Sequence, residues 1–357
     1  MKKLAILFFF LFSLNAKAAV NGWDSTLPEN SRFKVTRELR KRVDFWVAIY
    51  SQYSTTQGVY HLIDDPSVIL GKIDLTDISH ATDMTDAQKR RTIEIEVKSR
   101  KLNLAKKFAV HPNKVRLQMG LRDRMRKALF LSGKYLTQME EIFEEENLPI
   151  ELTRLPFVES SFNVFAQSKV GASGLWQIMP SVARPQGFIT RNYDNRNHPI
   201  HSTQLAAEIM KQNYRSLKSW PLAITAYNHG LSGVKRMMRK SESVKIEDMI
   251  KSKRVTGSWG FASKNFYACF LAVLEVERNA TELFGDDLVK ARSVSFREYK
   301  LPYKKKKTDV LKWFDGSVTR FKQMNPHLNW AAIKNRSTVP AGVSLMIPNK
   351  NFSLVRN

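Results

Sequence analysis

Cysteine is close to absent: the 357-residue chain holds one, Cys269, so no intramolecular disulfide can form and the small disulfide-stapled scaffolds are excluded. Its neighbours Tyr267, Phe270 and Leu271 mark it as a small buried hydrophobe, because a nucleophilic thiolate needs a base and an electropositive setting. Glycine and proline, 15 and 13 residues, are under a tenth of the chain, which excludes collagen-like repetition. With 43% hydrophobic and 11% aromatic residues, wholesale disorder is excluded as well. Beyond the N-terminus no segment reaches the roughly 18 uninterrupted apolar residues that a bilayer-spanning helix needs. His-Glu-x-x-His, paired Cys-x-x-Cys, a phosphate-binding glycine loop and a Gly-x-Ser-x-Gly elbow are all missing, which removes the commonest zinc, nucleotide and serine-hydrolase templates. His198 and His201 lie three apart, but Pro199 between them interrupts a helical ligand face. Both are expected on a surface loop, and neither a metal nor a cofactor is expected.

Acidic residues are the other shortage, 33 Asp plus Glu against 58 Lys plus Arg, for a formal net charge of +25. Such an excess points to an acidic partner: nucleic acid, anionic lipid or an anionic polymer outside the cell. Lys2 and Lys3, the apolar run from Leu4 to Leu14 and then Ala16-Lys17-Ala18 read as a secretory signal cleaved near Ala18. The mature protein is therefore expected to be exported, to the periplasm or beyond, and soluble, because no cysteine stands at the cleavage site to carry a lipid. Export makes nucleic acid an unexpected partner and leaves an extracellular polymer or an anionic membrane surface.

From Phe33 to about Leu148 the pattern is largely helical, with a shorter extended piece near Gly58 to Ile63. Between Lys89 and Lys127 there are fourteen basic and three acidic residues, which fit either a solvated helix face or a footprint for an anionic surface. In Tyr135 to Asn147, Leu136, Met139, Ile142 and Phe143 form one stripe, while Glu140, Glu141, Glu144, Glu145 and Glu146 read as a solvated face. Pro149 ends that helix, since proline disfavours helical geometry in the residue before it. Helical patterns resume at Ser202 to Leu217 and Pro221 to Tyr227, and the segment Phe261 to Asn279, apolar around most of its circumference, reads as a buried spine. After Gly285 the composition changes, with Lys304 to Lys307 in one run and a closing segment that reads as a small separate module.

The chemistry concentrates downstream of Leu155 to Val158. There Glu159-Ser160-Ser161-Phe162-Asn163 is followed by Ser168-Lys169-Val170-Gly171-Ala172-Ser173-Gly174-Leu175-Trp176-Gln177-Ile178-Met179-Pro180. A carboxyl at the end of an apolar helix is partly desolvated; this raises its pKa and suits it to act as a general acid near neutral pH. The glycines let the backbone fold closely against that residue, and Trp176 and Met179 are expected as apolar walls. On these residues alone, a capped helix end and a structural turn fit equally well. Further on, Ala226-Tyr227-Asn228-His229-Gly230 closes another apolar helix, with glycine where helices commonly stop.

Taken together and in this order, with Glu159 and Asn228 69 positions apart, these motifs resemble the soluble lytic transglycosylase (SLT) domain family, in its membrane-bound lytic transglycosylase D subgroup. The resemblance is strong over about Leu148 to Asn279, and Arg116 to Gly120 and Ser132 to Leu136 also look like that subgroup. It implies a mainly α fold with a lysozyme-like, goose-type catalytic domain at 148–285. Around this would stand an N-terminal helical region at 19–147 and a small α+β module at 295–350 that resembles a LysM peptidoglycan-binding domain. It also implies cleavage of the β-1,4 bond between N-acetylmuramic acid and N-acetylglucosamine in peptidoglycan strands, with formation of a 1,6-anhydro ring. By position Glu159 matches the single catalytic acid/base, and Ser168 and Gln177 match residues lining the sugar cleft. Met179 matches a cleft wall, Tyr227 the tyrosine facing the glutamate, Asn228 its neighbour, and Tyr267 a further aromatic cleft residue. His229 stands where the family often has alanine, and Lys304 to Leu311 lacks the Gly-Asp-Thr-Leu opening usual for LysM. A goose-type lysozyme that uses water instead, and a wall-binding scaffold without turnover, are the two other readings.

Overall fold

The computed structural model describes residues 23, 25–28, 31–254 and 259–355; the expected signal segment, 1–18, lies outside the described residues. It is mainly helical, at 55%, and among the described residues no helix is long and apolar enough to cross a membrane. Helix α1 (Arg37–Ser51) carries Leu39, Val43, Trp46, Ile49 and Tyr50 at three- and four-residue spacing, so one stripe is buried. Then come strands β1 (Gln57–Leu62) and β2 (Ile69–Asp74), the short α2 (Thr76–His80), the long α3 (Asp86–Lys107) and β3 (Val115–Met119).

The three strands make an antiparallel sheet in the order β2-β1-β3. The largely helical N-terminal region thus holds a sheet of which the extended piece near Gly58 was the visible part. Central β1 is covered on both faces: Val59 joins the main core, while Tyr60 packs with Leu70, Ile73, Leu104 and Val115. Gly58 lets the Leu117 and Met119 side chains pack closely on β1, since a Cβ there would stand 2.7 Å from Leu117 Cδ1 and make it shift. Helix α3 starts with a capping box built by Thr85 and Gln88, buries only Leu104 and Ala105, and leaves Ile95 and Leu102 exposed among its basic residues.

Helices α4 (Arg122–Ser132) and α5 (Leu136–Glu145) lead through a 3₁₀ turn, Ile150–Arg154, into α6 (Leu155–Ser160). Glu140 departs from the expected solvated face. Four positions after Leu136, it lies on the buried edge of α5, where it bonds the Arg154 guanidinium and accepts from Thr26 Oγ1 at 2.5 Å. Arg154 is fully buried and also grips Glu277 in bidentate fashion at 2.7 and 3.0 Å. A cation taken out of water needs such partners.

After α7 (Pro180–Ala183) come helices α8 (Pro199–Leu217), α9 (Trp220–His229), α10 (Leu231–Ser241), α11 (Ile246–Lys251) and α12 (Phe261–Arg278). Residues from Phe266 to Leu274 of α12 are all buried, which makes it the expected spine; it packs against α1, α6 and α9. Helix α13 (Ala280–Phe284) follows, and then a linker stitched to the preceding fold where Ala291 and Val294 N–H donate to Phe130 and Lys134 carbonyls at 2.8 and 3.0 Å.

The C-terminal segment has a core of its own, with Val310, Phe314, Phe321, Ile333, Leu345 and Ile347. Strand β4 (Phe296–Lys300) pairs with β7 (Ser344–Pro348), and β5 (Lys305–Lys306) with β6 (Thr338–Val339). Helices α14 (Lys307–Lys312), α15 (Val318–Met324) and α16 (Trp330–Ile333) lie between them in the chain. This module is fastened to the helical body by backbone pairing. Tyr193 bridges Leu328, Asp194 N–H donates to His327 O at 2.7 Å, and Asn329 N–H donates to Asn192 O at 2.8 Å.

Candidate active site

Glu159 sits in the last turn of α6, a helix six residues long that stops because Ser161 and Phe162 both take left-handed backbone, with φ of 51° and 57°. The stop leaves the side chain half-buried at the end of a helix whose Leu155, Pro156 and Phe157 are buried. Burial pushes its carboxyl up to about 8. Two phenols feel that charge. Burial and then Glu159 raise Tyr227, while burial, Cys269 and Glu159 raise Tyr50. Both phenols are therefore neutral donors at any physiological pH.

The glycine-rich loop is closed by its own backbone. Ser168 N–H donates to Ala172 O, and Ala172 N–H donates to Ser168 Oγ, both at 2.9 Å. Gly174, at φ +80°, lies so close to the next segment that a Cβ would stand 1.9 Å from the Arg196 carbonyl oxygen. Gln177, itself left-handed, spends its amide on the loop: Nε2 donates to Ala166 O at 3.1 Å and Gly174 O at 2.9 Å. Trp176 is not the expected wall but core, fully buried, stacked on Phe143 at 5.6 Å and donating through Nε1 to Thr203 at 2.9 Å. Its carbonyl accepts from Tyr227 OH at 2.8 Å, which ties the loop to α9. Met179 is 38% exposed and free to face a ligand.

Asn228 is exposed at the end of α9, with a long 3.5 Å contact from Ser263 Oγ. His229 holds the same hydroxyl at 2.9 Å and meets Trp259 edge-on. Tyr267 is buried and stacks on Phe270, its phenol raised by burial first and then by Glu247, whereas Ser168, Gln177 and Tyr227 gather around the loop that follows Glu159. The second phenol that feels the Glu159 charge is Tyr50, which sequence reasoning did not single out. It belongs to the apolar stripe of α1, and nothing in its neighbours separates it from core. Beside it lies Cys269, buried, with its thiol pushed up by burial. One turn away Asn265 accepts from Arg42 at 2.8 Å and Trp46 at 3.1 Å, so α1 and α12 are joined by polar contacts next to the site.

A cavity of about 660 Å³ opens where α1, α11 and the start of α12 meet, lined by Glu38, Arg42, Asp65, Lys114, Glu247 and Lys264 among others. Glu159 is not among its lining residues, so this space is separate from the reacting centre.

The histidine pair also differs from expectation. Pro199 does not interrupt a ligand face but opens α8 at its first position, where a missing N–H costs nothing. His198 caps that helix and is fully buried, and its ring stacks on His201 at 3.8 Å.

Residues 139–250, from α5 to α11, match the family model of the transglycosylase SLT domain. This segment is similar to SLT domains. It contains Glu159, Ser168, Gln177, Met179, Tyr227 and Asn228, while Tyr50 and Tyr267 lie outside it on flanking helices. Membrane-bound lytic murein transglycosylase D of Escherichia coli (strain K12) is 37% identical over 102 residues, 28% of this chain and 23% of that protein. A protein of Alteromonas sp. (strain M-1) named for tributyltin chloride resistance is 39% identical over 104 residues, 29% of this chain and 50% of its own length. The chain spans half or less of the length of each of these relatives. Among solved structures, an inactive mutant of the lytic transglycosylase Slt from Pseudomonas aeruginosa matches 59% of this chain and 33% of that one, at 16% identity and a TM-score of 0.33.

Proposed function

We propose that the chain is a peptidoglycan lytic transglycosylase with Glu159 as its single acid/base. The observation that carries this reading is the place of Glu159, at the end of an apolar helix within the segment that matches the SLT domain, where burial raises its carboxyl so that it holds a proton it can give away near neutral pH. Ordinary glycosidases divide the work between two carboxylates. Here Glu159 acts twice, first protonating the oxygen between N-acetylmuramic acid and N-acetylglucosamine. The acetamido group of the muramic acid stabilises the charge that develops at the anomeric carbon. The sugar's own 6-hydroxyl then attacks while Glu159, now a carboxylate, takes its proton, and the 1,6-anhydro ring closes. A nucleophile tethered to the substrate has a high effective concentration, which favours this closure over attack by water.

Tyr227, bonded to the Trp176 carbonyl, and Tyr50 flank the acid as neutral phenols and hold the field around it constant. Ser168, Met179 and Asn228 line the approach to the sugar, and Gln177 keeps the loop that carries them in shape. Tyr267 supports the spine from inside. The catalytic unit is taken as 148–285, framed by the N-terminal region 19–147. The module 295–350, with its strand, helices and returning strand, is proposed to bind glycan as LysM domains do. The anionic wall suits the +25 charge, and the exposed basic face of α3 suits either the wall or an anionic membrane surface. The mature protein is proposed to work after export, in the periplasm or outside the cell.

Mass spectrometry of fragments released from purified peptidoglycan tests the assignment. Wild-type protein is expected to release products one water lighter than hydrolysis products, and Glu159→Gln to lose turnover by a factor of order 10³ or more, since an amide cannot transfer the proton in either step. Reducing-end products would instead make it a lysozyme-type hydrolase, and no product from a folded preparation would leave a binding scaffold.

A further inference from the structure

We infer that His198, His201 and Glu298 form a binding site for a divalent transition-metal ion such as zinc, at the seam between the SLT domain and the C-terminal module. The ligand atoms of the three residues all lie within 4.8 Å of one another. Glu298 offers one oxygen to each imidazole, Oε2 at 2.9 Å from His201 Nε2 and Oε1 at 3.5 Å from His198 Nε2. Bonds of about 2.0–2.1 Å in a tetrahedral site put neighbouring ligand atoms about 3.3 Å apart, and the two observed separations bracket that value. Two nitrogens and one carboxylate oxygen make a donor set suited to zinc, with room for a water or a fourth ligand.

One buried nitrogen of the cluster points to a ligand independently of this clustering, and a second lies on a neighbouring ring. His198 Nε2 and His327 Nδ1 have no hydrogen-bond partner, in side chains that are 0% and 1% exposed. Leaving such atoms dry and unpaired is costly. The His327 ring lies 4.5 Å from that of His198, and its Nε2 is held by the Ser344 carbonyl at 2.8 Å, which leaves the Nδ1 lone pair free. Ser344 Oγ in turn donates to Glu298 Oε2 at 3.0 Å. The cluster is thus backed by a second layer of bonds, as metal sites usually are. Access comes from a cavity of about 390 Å³ beside His201 and Glu298, with Tyr193, Asn195 and Lys300 on its wall.

Binding requires two local changes. The imidazoles of His198 and His201 are nearly parallel, at 9°, and an ion in the plane of both needs one of them to tilt. His201, 24% exposed, has the freedom to do so. His198 Nδ1 accepts from the His201 amide at 3.3 Å, so its proton sits on Nε2; the ion displaces it to Nδ1 at the expense of that long contact. His198 caps α8, His201 stands in its first turn and Glu298 lies on β4, so the ion fastens the module to the SLT domain.

The test uses the full chain, stripped with a chelator and titrated with zinc sulfate by calorimetry and with cobalt(II) by visible spectroscopy. About one zinc per chain is expected, with the intense absorption of tetrahedral cobalt, and an affinity loss of at least tenfold in Glu298→Gln and in His201→Gln. Glu159→Gln should bind zinc as the parent does, which separates this site from the catalytic proposal. The inference is overturned by no uptake at micromolar zinc, by weak octahedral cobalt absorption only, or by unchanged affinity in both variants. The cobalt spectrum of the unmodified chain decides the matter if either variant fails to fold.

Discussion

A carboxyl that ionises near pH 8 in the folded chain and near 4.5 when exposed works against folding whenever the pH lies above the lower value. Below about 4.5 Glu159 is neutral in both states and costs nothing. Between there and about 8 the unfolded chain loses the proton and the folded chain keeps it, so the penalty grows with pH and then levels off. Glu159→Gln is therefore expected to stabilise the protein by roughly 1–3 kcal/mol at pH 9 and by almost nothing at pH 4, measured by urea denaturation. Equal gains at both pH values would contradict a desolvated acid. The same proton sets the rate: kcat/KM on soluble glycan should fall as pH passes about 8, tenfold per unit at the limit. Glu159 was legible because an apolar run delivers it to a helix end, a pattern with a physical meaning. Tyr50 was not, because burial beside a carboxyl is a product of packing between α1 and α12 rather than of residues near it in sequence. Glu140 was misread for a related reason, since its partner Arg154 comes from the following turn.

At the scale of elements, the loop between α6 and α7 owes its shape to backbone that only glycine accepts cheaply. Gly174 and Gly187 make a controlled pair, both at positive φ, but a Cβ at Gly187 would meet nothing within 4 Å. Gly187→Ala should cost about 1 kcal/mol, the price of left-handed backbone alone. Gly174→Ala must in addition push the Arg196 carbonyl aside, and is expected to cost at least about 2 kcal/mol more and to depress turnover, by denaturant titration and fragment assay. Similar losses for the two variants would mean that the close approach is unimportant. Helices α8, α9 and α12 were readable from their apolar residues, whereas α10 and α11 were not read. The N-terminal sheet was not, because β1 is covered on both faces and shows no alternation. Pro199 misled for the opposite reason: a proline that would break the middle of a helix is at home in its first turn, and only the cap formed by His198 tells the two apart.

For the whole molecule, the change of composition after Gly285 revealed a module, but nothing in the residue types revealed how it is held. The seam is made of backbone pairing at 192–194 with 327–329 and of the stitched linker, and backbone bonds leave little trace in sequence. With this seam, the helical body and the module should melt together, in one calorimetric transition; two well-separated transitions would show the seam to be weak. A single transition would mean that the module presents whatever it holds at a fixed distance from Glu159. The chain's lone thiol adds a means of watching the other side of the molecule. Cys269 is shut between α1 and α12, next to Tyr50, so a thiol reagent can reach it only when those helices part. Its labelling rate is therefore a clock for how often the N-terminal helix lifts from the spine, ticking in the unaltered protein and slowed by any ligand that presses the two together.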